Sequence, residues 1–211
     1  VFIEPVIPEP ALIILGAGHV GRALTKIAAF SGFRVTVIDD REEYANRDNL
    51  PDAHEILVRD FGDSISGAVA GSCAYIVIAT RGHNHDLEAL KTALRTDARY
   101  IGLVGSRRKR ALLFKTLSDE GFSENDIGRV IIPVGLPIHS TTPEEIAISI
   151  VAQMIQQRRT CAHEGYSLVL HGRFIEEDGA VKTAPPVNNK PAIRHCVDTI
   201  IASGIDDIIA S

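Results

Sequence analysis

The sequence predicts an α/β protein whose mostly parallel sheet is doubly wound, with helices on both faces. Three observations predict it. A short apolar run, Leu12–Leu15, leads straight into Gly16-x-Gly18-x-x-Gly21. A helical pattern follows, then a second apolar run, Val35–Ile38, that ends in Asp39-Asp40. Beyond that point apolar runs and helical patterns alternate as far as Thr160, which is the pattern of a parallel sheet with crossover helices. Together these define a Rossmann-type arrangement.

Each element has a local reason. Gly16 permits the tight turn after the first strand, Gly18 lets backbone approach a pyrophosphate, and Gly21 lets helix and strand pack closely. Val20, Leu24, Ile27 and Ala28 recur at helical spacing. The start of that helix, at His19 and Val20, offers free N–H groups and partial positive charge to phosphates. Asp39 stands about twenty residues beyond the glycines, where an acid accepts hydrogen bonds from a ribose diol. If a nicotinamide dinucleotide binds, that acid predicts an unphosphorylated ribose. Glu42–Ala53 is polar and irregular, Glu55–Val58 a short strand, and Asp63–Ala70 a weak helix. Ala74–Ala79 is continuously apolar, as in a strand buried on both faces. Leu87, Leu90 and Leu94 mark a helix, and Arg99–Val104 a strand. Gly105-Ser106 opens a helix whose apolar side is Leu112, Leu113 and Leu117. Gly121–Gly128 is a loop with one helical turn, and Val130–Ile132 is the last strand of the sheet. Thr142-Pro143-Glu144-Glu145 is a helix start with a threonine cap, proline at the first position and glutamate at the third. Ile146, Ala147, Ile150, Val151, Met154 and Ile155 then make a broad core-facing stripe.

Composition narrows the function. Of 211 residues, 45% are apolar, which supports a sizeable core, and the net charge of −5 argues against nucleic acid or a membrane surface as partner. No apolar run approaches the ~20 residues of a membrane span, no signal peptide is apparent, and a cytoplasmic location is expected. Cys73, Cys161 and Cys196 lie far apart, so neither a metal knuckle nor a disulfide framework is expected; Cys73 is expected in the core. Residues 1–10, rich in proline, read as a linker.

In a doubly wound sheet ligands bind outside the carboxyl ends of the strands, where strand order reverses. This gathers Gly16–Gly21, Thr80–Asp86, Gly105–Lys109 and Pro133–Thr142 on one rim. Ser106-Arg107-Arg108-Lys109-Arg110 sets four cations in the first turn of a helix, where the dipole disfavours them. A bound anion would reverse that sign, with Ser106 and Lys109 as donors; the alternative is four solvated side chains. Arg81, at a strand's carboxyl end, suits a phosphate or carboxylate. His83-x-His85-Asp86 has metal-ligand spacing but lacks further ligands nearby unless His54 or His139 folds in, so no metal is assigned. Asp86 also suits a helix cap. No catalytic constellation stands out: there is no Tyr-x-x-x-Lys pair, no nucleophile elbow, no H-E-x-x-H and no Walker loop. His83 and His85 are the candidate proton donors if hydride transfer occurs.

Several motifs, in order, carry a family likeness. Gly16-Ala17-Gly18-His19-Val20, Val37-Ile38-Asp39-Asp40-Arg41, Thr80-Arg81-Gly82-His83-x-x-Asp86, Tyr100-Ile101-Gly102-x-x-Gly105-Ser106-Arg107-Arg108-Lys109 and Gly135-Leu136-Pro137-Ile138 before Thr142-Pro143-Glu144-Glu145-Ile146-Ala147 resemble the C-terminal domain of the XdhC/CoxI family. The resemblance implies a molybdenum-cofactor chaperone without catalysis of its own. It would bind the cofactor, support its sulfuration with a cysteine desulfurase, and pass it to a xanthine dehydrogenase-type molybdenum hydroxylase. A homo-oligomer is expected. The resemblance places cofactor binding on Gly16, Gly18, His19, Val20, Gly21, Asp39, Arg41, Arg81, His83, Asp86, Gly105, Ser106, Arg107 and Lys109. Family members commonly read Gly-Leu-Asp-Ile-Gly where this chain has Gly135-Leu136-Pro137-Ile138-His139, so no role of that acid carries over. Two other classes remain open from the residues: an NAD(P)-dependent oxidoreductase, and a non-catalytic NAD(H)-sensing regulatory domain.

The expected domains are residues 11–160, Rossmann-type, and 161–211, a partial βαβ appendage. In the latter, Tyr166–Leu170 and Ile205–Ile209 read as strands and Pro191–Ala202 as a helix. The stretch from Asn189-Lys190-Pro191 to Asp206-Asp207-Ile208 is similar to the start of MobA-like nucleotidyltransferases, which implies a remnant or fragment of such a domain.

Overall fold

A computed structural model describes residues 10–62, 74–160, 167–170 and 207–210. These residues belong to two compact units, one ending at Ile155 and the other beginning at Gln156. In the first, strands β1 (Ala11–Leu15), β2 (Arg34–Asp39), β3 (Glu55–Val58), β4 (Tyr75–Ile78), β5 (Tyr100–Leu103) and β6 (Val130–Ile131) form one sheet in the order β3-β2-β1-β4-β5-β6. Every pairing is parallel. The strand order reverses between β1 and β4, which is the topological switch point.

The helices are α1 (His19–Phe30), α2 (His83–Leu94), α3 (Arg107–Asp119), the short α4 (Glu124–Gly128) and α5 (Pro143–Thr160). Strand side chains alternate between two cores, as a period of two requires. Ile13, Leu15, Ile76, Ile78, Ile101 and Leu103 face one core with Ala89, Leu90 and Ala93 of α2 and Leu113 and Leu117 of α3. Leu12, Ile14, Val35, Val37, Tyr75 and Val77 face the other with Leu24 and Ala28 of α1 and Ala147, Ile150, Val151 and Met154 of α5. The sheet is therefore covered on both faces, as predicted.

Expected and observed elements agree closely, with small differences. The last strand stops at Ile131, one residue early and just before Pro133, which has no N–H to give to a sheet ladder. Leu112 does not join the buried face of α3: it is 54% exposed, while Leu113 and Leu117, four residues apart, point inward. The helix expected over Asp63–Ala70, Cys73 and the helix expected over Pro191–Ala202 lie outside the described residues. In the second unit β7 (Ser167–Leu170) pairs in parallel with β8 (Asp207–Ala210), from Ser167 opposite Asp207 to Leu170 opposite Ala210. Among the described residues no helix is long and apolar enough to cross a membrane.

Candidate functional site

The glycine-rich turn after β1 is built by contacts that admit no side chain at two of its three glycines. Gly16 has φ +114°, and a Cβ there would lie 2.4 Å from the carbonyl oxygen of Ala79 at the end of β4. A Cβ on Gly21 would lie 1.9 Å from the carbonyl oxygen of Gly16. Gly18 differs: a Cβ there would meet nothing within 4 Å. Gly18 is also the cap residue of α1, which has no side-chain cap and no acid in its first turn. Arg22 is the first residue whose N–H bonds back into the helix, to Gly18. The amides of His19, Val20 and Gly21 precede that first helical bond at the positive end of the helix, with Gly21 itself buried.

Asp39, expected to meet a ribose, is committed inside the chain. One carboxylate oxygen accepts from the amide of Ala17 (2.8 Å) and from Arg41 Nη2 (3.0 Å). The other accepts from the Arg41 amide (3.0 Å) and Arg41 Nε (2.9 Å). A carboxylate has about four acceptor positions, and all four are taken on a residue with no exposed surface. The acid expected to meet a ribose is thus engaged by Ala17 and Arg41 in this structure. Burial on its own would raise the Asp39 pKa, but the Arg41 guanidinium and the two amides outweigh it and hold the group below its ordinary value. Asp39 therefore braces the glycine turn. Arg41 stacks on the ring of Tyr44, 3.8 Å from its centroid, which fixes the guanidinium further.

The adjacent acid behaves otherwise. Asp40 receives both terminal nitrogens of Arg81, at 3.1 and 2.8 Å. Arg81 follows β4 and Asp40 follows β2, with β1 between them in the sheet. The pair consequently crosses the carboxyl end of β1.

A third group lies toward β5. Asp86, also without exposed surface, accepts from the Thr80 hydroxyl at 2.6 Å, and its other oxygen pairs with the Lys109 ammonium. It does not cap α2, whose cap position is Gly82. Lys109 folds back over Gly105, where a Cβ would sit 2.9 Å from its Cδ, so a side chain there would make the lysine shift. Ser106 caps α3 by accepting from the Lys109 amide (3.2 Å). Hence Ser106 and Lys109, expected as anion donors, already serve α3 and Asp86, while Arg107, Arg108 and Arg110 are exposed. His83 opens α2, and His85 packs edge-on against Phe61 with centroids 5.6 Å apart. Among the described residues no three His, Cys, Asp or Glu side chains gather as for a metal.

The loop after β6 is held from α5. Gln153 Oε1 accepts from the Tyr100 hydroxyl (2.6 Å) and from the Gly135 amide (2.9 Å). Burial raises the Tyr100 pKa, so the phenol stays a donor. A Cβ on Gly135, which has φ +98°, would lie 2.2 Å from Ser149 Oγ. His139, at φ 59°, occupies the left-handed region that glycine adopts without strain. At the start of α5 the Glu145 amide donates to Thr142 Oγ1 (3.2 Å) and the Thr142 amide to Glu145 (3.1 Å), the predicted reciprocal cap. A groove of about 480 Å³ beside α1 is lined by His19, Arg22 and Lys26 together with Asp48, Asp52 and Glu144.

The fold and site therefore define a doubly wound protein whose uncapped helix α1 begins at the switch point of the sheet. The model of the XdhC Rossmann domain matches residues 12–154, and the chain belongs to that family. It is 34% identical over 163 residues to a probable xanthine dehydrogenase subunit of Bacillus subtilis strain 168, covering 76% of this chain and 47% of that protein. It is 36% identical over 149 residues to the uncharacterized protein YqeB of Escherichia coli K12, covering 70% of this chain and 27% of that one. Among solved structures it resembles a xanthine dehydrogenase from Bacillus halodurans, at 35% identity and a TM-score of 0.64, over 72% of this chain and 44% of that one. The chain thus spans less than half the length of these relatives.

Proposed function

We propose that this chain is the cofactor-holding part of an accessory protein that matures a xanthine dehydrogenase-type molybdenum hydroxylase. In this reading it binds molybdenum cofactor by its phosphate, with the hydroxylase as recipient and a cysteine desulfurase as the second partner. The observation that carries it is the space at Gly18 in front of the uncapped α1. An anion there would meet the first amides of α1, at His19 and Val20, and the helix's positive end. The family membership supplies the hydroxylase context.

The residues present suit a phosphate better than a nicotinamide dinucleotide held in the usual way. That mode needs a free acid at the end of β2 to take the ribose diol. Asp39 has no acceptor position left for it. A ligand anchored by phosphate alone, such as a pterin phosphate or its cytidine dinucleotide, makes no such demand.

The test is thermal unfolding of the chain with NAD, NADP, CTP and isolated molybdenum cofactor. A ligand at a hundred times its dissociation constant adds about 2.7 kcal/mol. Molybdenum cofactor is expected to stabilise the wild type and to lose that effect with Gly18→Val. Stabilisation by NAD alone, with turnover of a small carbonyl, would overturn the reading in favour of an oxidoreductase.

A further inference from the structure

Two cations that the sequence directs at the rim, Arg81 and Lys109, are both held in internal ion pairs, and the two pairs differ in kind. Lys109 meets a carboxylate with no exposed surface that a hydroxyl also holds. Separating it would strand a buried charge, so that pair is a fixed part of the wall. The Arg81 side chain is 42% exposed and Asp40 17% exposed, and either end hydrates readily when the pair opens.

Position gives the second pair its meaning. β2 and β4 flank β1, two strand spacings or about 10 Å apart. A bridge between their ends must pass over the end of β1, where the turn begins at Gly16. A phosphate entering the seat at Gly18 arrives beside that bridge. It meets a guanidinium whose two terminal nitrogens could face two phosphate oxygens, and a carboxylate that repels it.

We propose that Asp40 sets the charge a ligand must carry to enter the site, by holding Arg81 until a stronger anion takes it. The inference rests on the phosphate-binding reading above. Arg81 exchanges the Asp40 carboxylate for the ligand's phosphate, and the bridge over β1 opens in the same step. A neutral or weakly charged ligand offers Arg81 nothing that Asp40 does not already supply. A phosphate dianion or a pyrophosphate does. Asp40 is thus a specificity-determining residue that lowers affinity for every ligand and lowers it most for the least charged.

The experiment is calorimetric titration of inorganic pyrophosphate, at low salt, into the whole chain and into Asp40→Asn, Arg81→Gln, the double variant and Gly18→Val. Both residues of the bridge lie at the surface, and unfolding midpoints near that of the wild type verify that these variants fold. Asp40→Asn is expected to bind about 5-fold tighter, the most that an exposed pair of this kind withholds. Arg81→Gln is expected to bind roughly 10-fold weaker, as loss of a charge-assisted contact implies. The double variant is expected to bind close to Arg81→Gln, tighter only by the direct repulsion that Asp40 exerts, so that Asp40→Asn gains less there than in the wild type. Binding abolished by Gly18→Val yet unchanged or weakened by Asp40→Asn would overturn this inference and leave the phosphate seat standing. No binding by any of the proteins would overturn the seat and the inference with it.

Discussion

Helices α1 and α3 both begin on the rim, and they begin in opposite ways. α1 starts on a bare glycine with its first amides unclaimed and nothing within 4 Å of where a side chain would begin. α3 starts on Ser106, whose hydroxyl already takes the Lys109 amide, and its lysine turns back to a buried carboxylate. By charge count α3 is the stronger attractor for an anion, since four basic residues fill its first turn. By geometry the proposed seat is at α1, whose start carries no side-chain cap. The lesson is that two helix starts on one rim can differ in how much of their hydrogen-bonding capacity is left open, and the proposed phosphate site follows that difference and not the count of nearby cations.

That contrast can be broken in graded ways. The largest effect is expected at the wall beside α3. Lys109→Ala leaves the Asp86 carboxylate buried without its cation and should cost about 3–5 kcal/mol in urea unfolding, whereas Arg81→Ala should cost no more than about 1 kcal/mol. Equal losses would mean that the two pairs do not differ as described. Next comes the turn before α1. Gly21→Ala drives a methyl into the Gly16 carbonyl and should cost about 1–3 kcal/mol, while Gly18→Ala should leave the unfolding midpoint within about 0.5 kcal/mol of wild type. A third comparison touches the caps themselves. Ser106→Ala should destabilise the fold by about 1 kcal/mol without changing pyrophosphate affinity, as calorimetry would show. The smallest change in stability belongs to Gly18→Asp. An acidic cap should stabilise α1 by a few tenths of a kcal/mol and still abolish anion binding, because its carboxylate fills the seat.

Much of this fold was legible from local pattern. The β1–α1–β2 unit follows from Leu12–Leu15, three glycines and Val35–Ile38, each a short-range signal. The reciprocal cap of Thr142 and Glu145 was equally readable, since both partners sit within one turn. The site was less so. Asp39 occupies the position of a ribose acceptor, and its capture by Arg41 depends on a side chain two residues on folding back, which spacing alone does not reveal. The Asp-x-Arg sequence was the one available hint. Asp40 with Arg81 and Asp86 with Lys109 lie 41 and 23 residues apart, and those meetings exist only because β1 and then β4 fall between and beside their elements in the sheet. His85 looked like half a ligand pair; packing against Phe61 took it into the apolar layer instead.

Gln153 carries one more consequence. Its single carboxamide ties a strand phenol and a loop amide, 53 and 18 residues away along the chain, to α5. Such a clasp has no charge for an incoming anion to steal, and salt leaves it unaffected. In the proposed reading the far lip of the crevice is therefore the fixed side, and the ionic, partly exposed Arg81–Asp40 bridge on the opposite lip is the part that yields on loading.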